Sequence, residues 1–182
     1  PEAPLTFLLV GRLLEAKGLY EYAEAARLVK KRHPNARFQL LGAPESSRGG
    51  VPLETVKGWE REGIIEYLGV TRDVRPYVGQ ANVVVLPSWR EGLPCLLMEA
   101  LSMGRPIVAT AVPGCRDVVV DGKNGFLVPV RTPEALAKAL ESFLEDSALT
   151  ARMGKEGRFI AETELDARKA ADLILSVMKL VS

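Results

Sequence analysis

Short, nearly continuous apolar runs alternate along the chain with longer stretches whose apolar residues recur at helical spacing. The runs are TFLLV (6–10), RFQLL (37–41), IIEYL (64–68), NVVVL (82–86), IVA (107–109) and FLV (126–128). Continuous runs of this length are typical of parallel strands that are covered on both faces. The pattern therefore predicts right-handed β-α-β units and an α/β fold with a doubly wound, six-stranded parallel sheet.

The stretches between the runs carry helix signals. The first helix is predicted to begin at Leu19 and to stop before Pro34. Shorter helices are predicted at 53–62, 73–80 and 94–104. After Thr132 no further strand is predicted, and three consecutive helices are expected at 133–146, 148–162 and 166–181. Residues 1–182 are thus expected to form a single domain with extra C-terminal helices, able to fold alone.

Composition narrows the class of function. The chain has 24 Lys and Arg against 23 Asp and Glu, a formal net charge of +1, which does not favour a nucleic acid or an acidic polymer as partner. Its two cysteines, Cys95 and Cys115, match no zinc or redox spacing, so a reducing compartment is expected. No apolar stretch reaches the roughly 20 residues of a membrane span, and no signal peptide is visible.

Unusual residues follow the first and fourth predicted strands. Ligands of open α/β sheets bind beyond the carboxyl ends of the strands. After the first strand, Gly11 allows close backbone approach, and Arg12 and Lys17 bring two positive charges to that edge. After the fourth strand, SWREGLP leads into a helix whose free N–H groups and positive dipole end favour an anion. Two cations beside a helix N-terminus predict a phosphate or diphosphate pocket.

Several common sites lack their motifs. No G-x-G-x-x-G follows the first strand, and no G-x-x-x-x-G-K-[ST] occurs, so neither a dinucleotide site nor a P-loop is supported. D-x-D is absent, and Asp117 and Asp121 are better explained as turn and surface charges than as a metal pair. The one histidine, His33, lies at a helix end, where its usual role is that of a C-terminal cation. No metal or other cofactor is therefore expected.

Two glutamates flank the start of the helix after the fourth strand. Glu91 lies just before the helix, and Glu99 lies about one and a half turns inside it. Because a carboxylate only accepts hydrogen bonds, a pair of adjacent hydroxyls, as in a ribose or a hexose, is a natural partner. Sugar, phosphate and ribose together make a nucleotide sugar. The alternative for Glu99 is an ordinary solvent-facing helix residue, and spacing alone does not decide between the two.

On these residues the sequence resembles a known family. The stretches that carry the likeness are VGRLLEAKGL, SWREGLPCLLMEALSMGRPIVAT, AVPGCRDVVVDGKNGFLV and TPEALAKALESFLED. They are similar to the C-terminal, donor-binding domain of GT-B retaining glycosyltransferases of family 4, the group 1 transferases. The likeness covers nearly the whole chain, and E-x7-E followed by EA…GRPIVAT…PG is a specific joint pattern. It implies the Rossmann-like half of a GT-B fold.

The resemblance implies how the donor diphosphate would be held. Arg12 and Lys17 match the pair of cations that neutralise it, and no catalytic metal is implied. Gly92 and Leu93 match the loop whose backbone amides hold the sugar and the distal phosphate.

The resemblance also implies partners for the rest of the donor. Glu91 matches the first glutamate of E-x7-E, the catalytic position, which contacts the transferred sugar. Glu99 matches the second, which holds the ribose hydroxyls. Leu68, Gly69 and Val70 match the strand end and turn beside the base.

For the whole enzyme, the resemblance implies transfer of a hexose or N-acetylhexosamine from a nucleoside-diphosphate sugar, UDP-linked, to a glycan or lipid-linked acceptor. The stretch REGLP…PGCRDVV is most similar to transferases that build lipid-linked glycans or bacterial surface polysaccharides, that is, to those of polysaccharide biosynthesis. The acceptor site belongs to an N-terminal domain that these 182 residues do not contain, so we expect no transfer by this chain alone. A cytoplasmic location is expected, with membrane contact limited to the inner face through the parent enzyme.

Two other hypotheses remain open from the sequence. The chain could serve as a stand-alone, non-catalytic nucleotide-sugar-binding module or subunit. A Rossmann-type oxidoreductase or epimerase is the third hypothesis, and the missing G-x-G-x-x-G disfavours it.

Overall fold

The structure, a computed structural model, describes residues 4–164. Its strands are β1 (Thr6–Val10), β2 (Arg37–Leu41), β3 (Glu66–Tyr67), β4 (Val83–Leu86), β5 (Ile107–Thr110) and β6 (Gly125–Val128). They form one parallel sheet in the order β3-β2-β1-β4-β5-β6. The predicted six-stranded, doubly wound α/β sheet is confirmed.

Seven α-helices lie within the described part of the chain. They are α1 (Leu19–Arg32), α2 (Leu53–Arg61), α3 (Arg75–Gln80), α4 (Cys95–Ser102), α5 (Pro113–Arg116), α6 (Pro133–Glu145) and α7 (Leu149–Thr163). The first two of the expected C-terminal helices are present as α6 and α7, and the third, at 166–181, lies outside the described residues. Pro94 precedes the first residue of α4 instead of occupying it, so the prediction was one residue early.

The sheet has an apolar core on each face. In β1, Phe7 and Leu9 pack into the core under α1, α2 and α6, whereas Leu8 packs into the core under α3 and α4. Helix α7 contributes to both cores. Because alternate residues of a strand point to opposite faces, a strand covered on both sides needs a continuous apolar run. This is the physical reason for the pattern from which the strands were predicted.

The third strand is shorter than predicted. The run 64–68 yields only Glu66–Tyr67. The backbone N–H groups of Ile64 and Ile65 both donate to the carbonyl of Trp59, at 3.1 and 3.4 Å, and so close the end of α2. Their side chains are buried in the core, so an apolar run here marks the end of a helix as well as a strand.

The loops after β1 and β4 pack against each other without a gap. Gly18 ends the short 3-10 helix Glu15–Lys17 with φ +72°, and a Cβ added to it would lie 2.1 Å from the carbonyl oxygen of Pro87. The N–H of Trp89 donates to the carbonyl of Ala16 at 2.9 Å. These contacts fix the turn that carries Lys17 against the loop that carries Glu91.

Candidate functional site

A cavity of about 260 Å³ lies at the carboxyl ends of β1 and β4. Its lining comprises Val10, Lys17, Leu86, Glu91, Leu93, Pro94, Cys95 and Leu96. The sheet therefore places residues from the loop after β1 beside the start of α4, as parallel-sheet topology predicts.

Lys17 and Glu91 meet in this cavity. The Lys17 Nζ lies 2.6 Å from the Glu91 Oε1, and the two side chains are 27% and 12% exposed. Desolvating two charges costs free energy, which their attraction offsets only as long as both are present. The pair thus keeps a cation and a hydrogen-bond acceptor side by side at the carboxyl edge of the sheet.

Backbone N–H groups next to this pair have no acceptor. Within residues 4–164 the amides of Gly92, Leu93 and Leu96 donate no hydrogen bond. Space around Gly92 is open, since a Cβ added there would meet nothing within 4 Å. Free donors at the start of an eight-residue helix, beside a lysine, form an anion-binding arrangement.

Gly114 packs against the loop that contains Gly92. A Cβ added to Gly114 would lie 1.8 Å from the carbonyl oxygen of Gly92, so the two backbones are in direct contact. Next to it, burial and then the charge of Glu91 raise the pKa of the Cys115 thiol to about 12, while Lys17 acts in the opposite direction. Neither Gly114 nor Cys115 was predicted to be near the site, because a four-residue helix such as α5 has no periodicity to read.

Arg12 is not brought to the Lys17–Glu91 pair. Its Nη1 lies 2.8 Å from the Glu45 Oε2, in the loop after β2, and its side chain is 65% exposed. Hydrogen bonds from Ser47, together with Arg12, hold the pKa of Glu45 below its ordinary value. Arg12 does not line the cavity of Lys17 and Glu91, and its diphosphate role remains a prediction.

Glu99 lines a second cavity, of about 400 Å³, between α4 and the start of α3. The other lining residues are Arg75, Cys95, Met98, Ser102 and Met103. Glu99 is exposed, and its side chain makes no hydrogen bond to any described residue. The pKa of Arg75 is raised mainly by its hydrogen bond to Asp73 and the charge of Asp73, and slightly by the charge of Glu99. Because Cys95 lines both cavities, they adjoin at the first turn of α4.

Leu68, Gly69 and Val70 follow β3 at the same edge. The N–H of Leu68 donates to the Leu40 carbonyl at 2.8 Å, and the Gly69 carbonyl accepts from the Gly42 N–H at 2.8 Å. Val70 is 63% exposed. None of the three lines either cavity, and their place beside a base remains a prediction.

Gly11 is not required by contacts within the chain. A Cβ added there would meet only the Lys17 side chain and Leu9, at ordinary distances of 3.6 Å and more. Close approach at Gly11 therefore remains a prediction that depends on a ligand.

Sequence reasoning missed a cluster centred on Trp89. The indole Nε1 donates to the Glu21 Oε1 at 2.9 Å, and the Arg131 guanidinium carbon lies 3.9 Å from the ring centroid. An indole N–H that leaves water needs an acceptor, so a tryptophan in SWREGLP could have signalled a partner, but not which one.

Two further observations concern the described residues. Among residues 4–164 no group of three or more His, Cys, Asp or Glu side chains is arranged to hold a metal ion. No helix in that range has the length and hydrophobicity needed to cross a bilayer.

The fold is a Rossmann-like α/β domain with a candidate site at the carboxyl edge of its sheet. Residues 4–146 match the family described as glycosyl transferases group 1. The chain therefore belongs to this family of enzymes, which favours the glycosyltransferase interpretation over an oxidoreductase.

One relative and two solved structures illustrate the similarity. The putative colanic acid biosynthesis glycosyltransferase WcaL of Salmonella typhimurium is 35% identical over 79% of this chain, which spans 37% of that relative. Anabaena HepE, solved in complex with UDP, has a TM-score of 0.85 at 22% identity, over 97% of this chain and 49% of HepE. The C-terminal domain of LpcC from Francisella tularensis has a TM-score of 0.80 at 23% identity, over 91% of this chain and 89% of that domain. The structural matches show the fold.

Proposed function

We propose that this chain is the donor-binding domain of a retaining, family 4 glycosyltransferase that uses a UDP-linked hexose or N-acetylhexosamine. The observation that carries the proposal is the Lys17–Glu91 pair beside the unpartnered amides of Gly92, Leu93 and Leu96. This arrangement offers a cation and backbone donors for a diphosphate, and a carboxylate for sugar hydroxyls, within one cavity.

Donor binding would exchange the partner of Lys17. The Glu91 Oε1 already lies 2.6 Å from the Lys17 Nζ, where it would compete with a donor phosphate. A diphosphate carries more negative charge than one carboxylate, so it would take over Lys17 and leave Glu91 free to accept from the transferred sugar. Lys17 and the α4 amides would then stabilise the charge that develops on the leaving diphosphate as the sugar acquires oxocarbenium character. Arg12 would join after leaving Glu45, so that positive charge is supplied without a metal.

The remaining donor contacts follow the strand order. Glu99, in the adjoining cavity, would accept hydrogen bonds from the ribose hydroxyls. The backbone of 68–70, at the carboxyl end of β3, would lie beside the base. The UDP complex of HepE and the similarity to WcaL support a UDP-linked donor and a glycan or lipid-linked acceptor.

Chemistry would need a second domain. The chain spans 37% of the Salmonella relative, and we propose that the acceptor site lies in an N-terminal domain of the same enzyme. Closing two domains around the donor excludes water before transfer. We place the enzyme in the cytoplasm, with contact to the inner membrane face through the parent enzyme when the acceptor is lipid-linked.

We expect the 182-residue chain alone to transfer no sugar. It would be incubated with several UDP-hexoses and lipid-linked acceptors, and the products analysed by mass spectrometry. Turnover above background would contradict the two-domain proposal. If the chain binds donor but stays inactive when co-expressed with a matching N-terminal domain, the non-catalytic binding module becomes the better interpretation.

The two glutamates should respond differently to neutralisation. Glu99→Gln should weaken UDP and uridine to the same extent, because both contain the ribose. Glu91→Gln removes the competitor for Lys17, so UDP binding should tighten about two- to fivefold, equivalent to about 0.5–1 kcal/mol for a partly exposed ion pair. The affinity for the full UDP-sugar should rise less than that for UDP, since the variant has no carboxylate to accept hydrogen bonds from the sugar. Calorimetric titration would measure all three ligands, and identical behaviour of the two variants would refute the division of roles.

A further inference from the structure

Three contacts join the loop after β4 to the segment that carries Lys17. The N–H of Trp89 donates to the Ala16 carbonyl, and its indole Nε1 donates to the Glu21 Oε1, each at 2.9 Å. Gly18 packs directly on the Pro87 carbonyl. Lys17 lies between Ala16 and Glu21 in sequence, and Glu91 lies two residues after Trp89. The tryptophan therefore connects the two segments whose side chains form the ion pair.

Glu21, the acceptor of the indole hydrogen bond, has one carboxylate oxygen buried at a cost in free energy. Glu21 lies in the first turn of α1, where the helix dipole favours a negative charge. Its Oε1 has the indole, but its Oε2 is buried and has no hydrogen-bond partner among the described residues. Burying a carboxylate oxygen without a partner costs free energy, and a neutral or apolar side chain would avoid that cost.

The loop after β6 contacts the face of the Trp89 ring. The Arg131 guanidinium carbon lies 3.9 Å from the ring centroid, in cation–π contact. Arg131 follows β6 and has φ +56°, in the left-handed region that non-glycine residues rarely adopt. Trp89 is thus held between an anion at its edge and a cation on its face, and it belongs to neither apolar core. Backbone strain such as that of Arg131, and a buried oxygen without a partner such as the Glu21 Oε2, are typical of residues that hold a functional site in place.

We infer that Trp89, through Glu21, is a positioning residue that sets the distance between Lys17 and the loop of Glu91 and Gly92. This inference rests on the proposed function, because the positioned groups are those assigned to the donor diphosphate. Without the indole hydrogen bond, the loop after β4 loses its bond to Glu21 and is held to this segment by the Trp89–Ala16 backbone bond, the packing of Gly18 on Pro87 and the Lys17–Glu91 pair itself. Lys17 and the α4 amides then no longer converge on one anion, while groups that bind ribose and base are unaffected.

The test compares UDP with uridine in the full 182-residue chain by NMR titration, alongside the thermal midpoint of each variant. Trp89→Phe keeps the aromatic face for Arg131 but removes the N–H donor. It should lower UDP affinity about five- to tenfold, the size expected for the loss of one ordinary intramolecular hydrogen bond, and change uridine affinity less than about twofold. Glu21→Ala should give the same loss and Glu21→Gln, whose amide oxygen still accepts, should restore binding. The double variant Trp89→Phe/Glu21→Ala should be no weaker than either single variant.

Trp59→Phe is the matched control. Trp59 is a residue of α2 that lies in the core, 5% exposed and edge-on to Tyr20. Its replacement should therefore change the thermal midpoint but not the ratio of UDP to uridine affinity. The inference is overturned if Trp89→Phe binds UDP as the wild type does, if uridine affinity falls in parallel, or if the two single losses add. Should Trp89→Phe not fold, the Glu21 pair of variants, which keeps the indole, decides the same question. Wild-type protein that binds no UDP would overturn the proposed function and the inference with it.

Discussion

Replacing Gly18 with alanine should lower the free energy of unfolding by about 3–5 kcal/mol, the range of severe single substitutions. Gly18 has φ +72°, and an added Cβ would lie 2.1 Å from the Pro87 carbonyl oxygen, 2.7 Å from its carbonyl carbon and 2.9 Å from its ring. These atoms belong to backbone and to a rigid ring, so no side-chain rotation relieves the clash. The loops after β1 and β4 must separate instead, and the Lys17–Glu91 pair separates with them.

Urea unfolding of Gly18→Ala and Gly63→Ala would check this expectation. Gly63 has a similar φ of +70°, but a Cβ there would meet nothing within 4 Å. It therefore reports the backbone cost alone, about 1–2 kcal/mol for a residue held in the left-handed region. Equal loss of stability in the two variants would mean that the two loops do not pack as tightly as described.

Replacing Lys17 with alanine should weaken UDP binding about 10- to 100-fold, while uridine binding stays unchanged. A charge-assisted contact to phosphate contributes about 1.5–3 kcal/mol, and uridine has no phosphate to lose. The change also leaves Glu91, only 12% exposed, as an anion facing the diphosphate. Calorimetry of Lys17→Ala and of Lys17→Ala/Glu91→Gln separates the two contributions, and the double variant should recover part of the affinity.

Arg12→Ala is the matched comparison for Lys17→Ala. The Arg12 side chain is 65% exposed and already paired with Glu45, so its net contribution should be smaller, about threefold or less in UDP affinity. If Arg12 and Lys17 contribute equally, the diphosphate lies closer to the rim than the cavity at the start of α4 indicates. Equal losses for UDP and uridine would place both cations elsewhere than at the phosphates.

The sheet could be predicted because its strands are buried on both faces. The bounds of β1 and β2 agree with the apolar runs 6–10 and 37–41, because most residues there are buried in one core or the other: Phe7, Leu8, Leu9, Phe38, Leu40 and Leu41. The run at 64–68 was misleading, because Ile64 and Ile65 are buried while closing a helix. Helix α5 was not predicted, because four residues show no helical periodicity, and the contact of Gly114 with Gly92 joins residues 22 positions apart.

The sequence predicted which loops come together at the candidate site, but not which side chains pair there. Lys17 and Glu91 are 74 positions apart, yet the rule that ligands bind at the carboxyl edge was enough to place them together. Side-chain partners were not predictable, because they depend on tertiary distances. Arg12 pairs with Glu45 instead of joining Lys17, and Trp89 finds Glu21, 68 positions away.

A nitrogen–proton correlation titration of the wild-type chain with UDP, and in parallel with uridine, tests the donor-site proposal most directly. The proposal predicts that the amide signals of Gly92, Leu93 and Leu96, which have no acceptor among residues 4–164, shift strongly with UDP and hardly at all with uridine. UDP that leaves these three amides unchanged, or uridine that shifts them equally, would contradict a diphosphate site at the start of α4.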